Sequence, residues 1–165
     1  MAETVAGMRM DRFLKPVTAV AAASSLAACA TPPQTPLPPP QGADVSSGQD
    51  CSVFAAIARE HYRFAENPPP PLWAEVDEEN GGRYFVQCDW PRLGVPMTGE
   101  TYDPQDPRPG RLQWVKFERP TYLGQRARVA TAIMHGPLAG MGYECVVISG
   151  VVGWSVESCR STWVS

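Results

Sequence analysis

Two histidines and five cysteines are the residues of this 165-residue chain best suited to acid–base, nucleophilic or metal chemistry. Neither histidine has a recognisable catalytic neighbourhood in sequence. His61 falls among Phe54, Ile57, Ala58, Phe64 and Ala65 at helical spacing, where a buried, hydrogen-bonded ring kept neutral by desolvation is the expectation. His135, in Met134-His135-Gly136-Pro137, closes an apolar run and suits a turn better than a general base. No two cysteines show the paired C-x-x-C spacing of a zinc or dithiol site. Asp103 and Asp106 could offer oxygens to Ca²⁺ but lack the repeated oxygen ligands of a calcium loop, and Glu75, Asp77, Glu78 and Glu79 read as a solvated hairpin tip. Gly136, Gly140 and Gly142 flank a turn instead of opening a helix, so they form no phosphate cradle. The sequence therefore predicts no catalytic residue, no cofactor and no metal site.

The elements that hold these side chains follow from pattern. Fourteen Lys+Arg against 17 Asp+Glu give a net charge of −3, so there is no basic stripe and nucleic acid is not an expected partner. At 44% hydrophobic, the chain has enough apolar material for a core. Leu and Ile are scarce, so Val and the aromatic residues must supply much of it. Asp50 is a candidate N-cap for an amphipathic helix running to Ala65, which must stop before Pro68-Pro69-Pro70-Pro71. Strands are expected at 72–76, 83–90, 112–118, 127–135, 142–150 and 154–164, separated by turn residues. The stretch 91–110 is rich in Pro, Gly and Asp and is too long for an ordinary connection, so it reads as a surface or binding loop. The predicted architecture is α+β, with one N-terminal helix packed on a twisted antiparallel sheet; a small β-barrel is the alternative.

Ahead of this domain the code is different. Arg9, Arg12 and Lys15 precede an uncharged, apolar or small-residue run from Val17 to Ala28, the order of a secretory signal. Twelve helical residues would span about 18 Å, short of the ~30 Å hydrocarbon core. The run ends in Leu26-Ala27-Ala28-Cys29, which resembles the bacterial lipobox. That resemblance implies cleavage before Cys29, lipid on its sulfur and its new amino group, and attachment to a membrane through two or three acyl chains. Because Ala30 follows, and not Asp, it further implies sorting to the outer membrane, facing the periplasm. The expected organisation is a signal peptide at 1–28, a lipid anchor with a Pro-rich extended tether at 29–50, and a folded domain at 51–165.

With Cys29 taken by lipid, Cys51, Cys88, Cys145 and Cys159 remain, an even number in an oxidising compartment, and two disulfides are expected. Of the three possible connectivities, the last hairpin favours one. A three-residue loop Val151-Val152-Gly153, with Gly153 in the left-handed region, pairs Gly150 with Trp154, and partners then sum to 304. That register sets Cys145 opposite Cys159, in a non-hydrogen-bonded pair within disulfide reach, and Glu144 opposite Arg160. Cys51 with Cys88 follows.

The last 45 residues, from Arg119-Pro120-Thr121-Tyr122 through Gly136-Pro137-Leu138-Ala139-Gly140 and Gly153-Trp154-Ser155-Val156 to Trp163-Val164-Ser165, resemble small secreted bacterial proteins of unknown function. The resemblance implies a strand pattern and carries over no site residue. The expected role is that of a non-catalytic, lipid-anchored envelope protein that binds an envelope protein or a cell-wall ligand, with 91–110 as the contact loop. A lysozyme-inhibitor-like lipoprotein is the first alternative and a periplasmic hydrolase the second.

Overall fold

The computed structural model describes residues 44–78, 82–97, 101–105 and 112–165. Cys29, the predicted signal peptide and the Pro-rich stretch lie outside the described residues, as do Glu79 and Asp106. Everything described belongs to one compact unit.

Strand β1 (Asp44–Val45) leads into helix α1 (Gly48–Ala56), followed by a π-helical turn, Ile57–His61. β2 (Glu75–Asp77) and β3 (Arg83–Phe85) come next, then a 3₁₀ turn at Pro91–Leu93. The remainder is β4 (Trp114–Phe117), β5 (Thr121–Leu123), β6 (Arg126–Met134), β7 (Gly140–Gly150) and β8 (Gly153–Val164). A small sheet has the order β1-β3-β2, and a larger antiparallel sheet runs β4-β6-β7-β8 with β5 also paired to β6. The fold is α+β. Among the described residues neither sheet closes into a barrel.

Alternation decides which face of the large sheet is covered. Ala127, Val129, Thr131 and Ile133 of β6 are buried, two residues apart, with Val115 and Phe117 of β4 and Cys145 and Val147 of β7. On this face sit Val53, Phe54, Ile57 and Ala58. Phe54 stacks on Phe117 at 5.1 Å and meets Tyr84 edge-on at 6.5 Å, joining helix, large sheet and small sheet. The other face carries a charge ladder: Arg160 donates to Glu144 at 3.0 Å, and Arg126 makes a two-pronged bond to Glu157 at 2.7 and 2.9 Å.

Several sequence expectations need correction at the helix. Ser47, not Asp50, is the N-cap. Its hydroxyl accepts the Asp50 amide at 3.1 Å, and the Asp50 carboxylate accepts the Ser47 amide at 2.8 Å, a reciprocal capping box. Residues 44–50, expected to be the end of a tether, are thus part of the fold. The helix is also buried nearly all round, since Val53, Ala55 and Ala56 are fully inaccessible beside the expected stripe. It ends well before Ala65. Tyr62 donates to the Ile57 carbonyl five residues back, at 3.1 Å, and Arg63 then turns the chain with φ 56°, leaving Ala65 exposed.

The strands match expectation to within a few residues except at 72–76 and 83–90, which shrink to three-residue strands, and at β1 and β5, which the sequence pattern does not mark. Both expected disulfides are present, Cys51–Cys88 and Cys145–Cys159. The turn expected between β7 and β8 is different. Gly150 pairs with Gly153 across Val151-Val152, so partners near the turn sum to 303. A bulge between Val146 and Val147 adds one residue to β8, and from there Cys145 faces Cys159 and Glu144 faces Arg160. The 91–110 stretch is not wholly superficial either: Val95 and Met97 are buried with Trp90 in the core.

Candidate binding cleft and histidine–disulfide cluster

β2 and β3 place opposite faces in opposite surroundings. Val76 and Tyr84, paired in register, point into the core, whereas the pairs Glu75–Phe85 and Asp77–Arg83 share the other face. That face lines a cleft of about 450 Å³ together with Trp73 and the segment from Thr101 to Pro104. The segment is held by the backbone. Thr101 bridges to Leu72, and Tyr102 donates to the Leu72 carbonyl at 2.7 Å. Trp73 is packed against Tyr102 at 5.1 Å and stands perpendicular to Trp114 at 5.0 Å, so its indole is held between two aromatic rings. Arg83 is ion-paired to Glu75, and Asp103 accepts the Gln105 amide at 2.8 Å, making an Asx turn at the rim. The cleft thus combines flat apolar rings with carboxylates and a guanidinium, suited to a ligand that has an apolar face and polar edges.

Asp50 occupies a second polar cluster. It is only 8% exposed, and beyond the cap bond it accepts Tyr122 Oη at 2.6 Å and Tyr84 Oη at 3.0 Å. Burial pushes its carboxyl upward, but the bonds from Tyr122, the Ser47 amide and Tyr84 outweigh this and hold it below the usual carboxylate range. The same burial, with the anion alongside, pushes the Tyr84 and Tyr122 phenols well above their ordinary value. Arg119 lies over the Tyr84 ring at 4.7 Å and bonds Asp44 at 2.7 Å and Glu78. Every group has a partner, and the cluster ties α1, β3 and β5 together.

The third cluster surrounds His61. The π turn carries its ring out of the core to a half-buried position, edge-on to Tyr143 at 4.3 Å and beside Tyr62 at 4.9 Å. The expected hydrogen bond to the ring is not formed by any described residue. Desolvation does lower its pKa, as expected of a ring that stays neutral. A ring nitrogen lies within 4.8 Å of the sulfurs of both Cys145 and Cys159. His135 is elsewhere: it is exposed at the end of β6, where its amide closes the turn by donating to Ala139 O at 2.8 Å. Of the acidic hairpin residues, Glu78 pairs with Arg119, while Glu75 and Asp77 line the cleft. Trp73 and Tyr102 were missed in the sequence because nothing local marks two aromatic residues far apart in the chain as neighbours.

No helix among the described residues is long and apolar enough to cross a membrane. Compared with models of protein families, with curated proteins and with solved structures, the chain matches none.

Proposed function

We propose that this protein is a lipid-anchored, non-catalytic envelope protein that binds a cell-wall component through the cleft at Trp73. Two things support this reading. Leu26-Ala27-Ala28-Cys29 follows a charged and then an apolar stretch, the order a lipid-modified export signal needs, and Ala30 in place of Asp after it favours the periplasmic side of the outer membrane. The single structural observation that carries the binding role is the Trp73–Tyr102 ring pair lining the cleft together with Glu75, Asp77 and Asp103. Sugar rings and short wall peptides both present C–H faces that rest on indole and phenol rings, while their hydroxyl and amide edges hydrogen-bond to carboxylates. The contact expected at 91–110 narrows in this reading to Thr101–Pro104.

Two measurements test the two halves separately. Labelled palmitate should enter the wild-type chain and not Cys29→Ser; equal labelling would end the lipoprotein reading. Purified wall sacculi should retain the wild-type domain and release Trp73→Ala and Tyr102→Ala proteins of unchanged fold. Equal retention of all three would remove the cleft from the reading.

A further inference from the structure

Cys145 and Cys159 sit opposite each other on β7 and β8, with Cα atoms 4.1 Å apart. Their proximity does not depend on the S–S bond. On either side the ladder continues, through Glu144 opposite Arg160 and Val146 opposite Ser158, and the Arg160–Glu144 bonds at 3.0 and 3.1 Å fasten the same two strands. His61 reaches the pair from a third element, and it too is held independently. Tyr143 packs against its ring, Glu60 accepts the Val156 amide at 2.8 Å, and Tyr62 Oη meets Thr131 Oγ1 at 3.0 Å. Two sulfurs and an imidazole nitrogen therefore converge within 4.8 Å of one another on a scaffold that positions each separately.

We propose that reduction of the Cys145–Cys159 disulfide opens a zinc site formed by the two thiolates and His61, so that metal binding is gated by the redox state of the chain. The proposal stands apart from the envelope reading. A dithiol reductant supplies two electrons and two protons: the S–S bond breaks, two cysteine thiols form, and the reductant closes to its own disulfide. Zinc then displaces the two thiol protons, forming two Zn–S bonds and one Zn–N bond. Two thiolates cancel the dication's charge, which suits a half-buried position. Sulfur and imidazole ligands favour zinc over the hard cations that need oxygen. Cys159 and His61 both keep partial exposure, leaving a fourth position that water can fill. His61 presents a ring nitrogen to both sulfurs. In the disulfide form the sulfurs have no thiolate charge and the site does not exist.

The test uses the full chain, reduced anaerobically with a dithiol that is then removed, and titrated with Co²⁺ as a spectroscopic probe and with Zn²⁺. The reduced wild type should bind one ion with a thiolate-to-cobalt charge-transfer band, and Zn²⁺ should raise its Tm. His61→Ala should weaken Zn²⁺ by more than the ~10–100-fold expected for losing an outer-shell partner. Cys145→Ser/Cys159→Ser should abolish the band and the Tm rise, while Cys51→Ser/Cys88→Ser should keep both. Equal binding by oxidised chain, an unchanged affinity in His61→Ala, or a band that follows Cys51 and Cys88 overturns the proposal. A reduced chain that loses its β-sheet circular dichroism and does not regain it with Zn²⁺ overturns it too.

Discussion

A carboxylate oxygen of Glu60 accepts the backbone amide of Val156 at 2.8 Å, across the free edge of the large sheet. β8 is the outermost strand of that sheet, and an outward amide on such an edge invites pairing with another chain. The π turn aims Glu60 at the position next to the bulge, so one helical irregularity meets one strand irregularity. Glu60→Ala should destabilise the domain by about 1–2 kcal/mol in urea unfolding. It should also raise concentration-dependent association, seen by light scattering. A monomeric variant of unchanged stability would remove this role from Glu60.

The Asp50 cluster makes stability fall at both ends of the pH scale. Asp50 has a folded pKa below its unfolded value, so its contribution is complete above the unfolded pKa, near 4, and is lost as pH falls through the folded one. Tyr84 and Tyr122 have folded values above the unfolded ~10, so their contribution is complete below pH 10 and is lost as pH rises beyond it. Asp50→Asn should cost about 1–3 kcal/mol at pH 7 and flatten the acid limb of a stability–pH curve. In the wild type, phenolate absorbance from these two tyrosines should appear at higher pH than from tyrosines of the unfolded chain.

Trp163 lies across Gly142, where an added Cβ would come 2.0 Å from the indole nitrogen. Gly142→Ala must therefore displace the ring, at about 1–3 kcal/mol, and shift its fluorescence. In Trp163→Ala the same substitution should cost much less. A double-mutant cycle with no coupling would mean that the indole moves freely.

Arg63 ends the helix at φ 56°, a conformation that a glycine adopts without strain. Its ion pair with Glu66 is exposed and contributes little. Arg63→Gly should therefore leave stability unchanged or raise it by up to about 1 kcal/mol, measured by urea unfolding. A loss above 1 kcal/mol would show that the side chain holds the turn.

What the amino-acid sequence determined by itself is whatever repeats locally. Period-two alternation in β6 and β7, the turn residues between strands and the even set of four cysteines from Cys51 onward were enough for the α+β class and both disulfides. The Cys145–Cys159 register shows how far that reaches. Trp154 and Val156 face inward, and Cys159 lies three positions beyond Val156, so only an added residue returns it to the inner face. A three-residue turn would hold that residue; the structure places it in a bulge around Glu157, because pairing across two strands, not the turn alone, sets where the offset is absorbed. β1 against β3 and the π turn that swings His61 onto a disulfide depend on groups from distant parts of the chain, whereas the Ser47 cap rests on Asp50 three residues on and was open to a local reading. The cleft is of the same kind: Trp73 and Tyr102 become neighbours only when the Leu72 carbonyl takes the Tyr102 amide, a bond that no periodicity announces. Tertiary packing decided these, since burial of the helix on nearly every side left its exact ending to whichever contacts the sheet could offer.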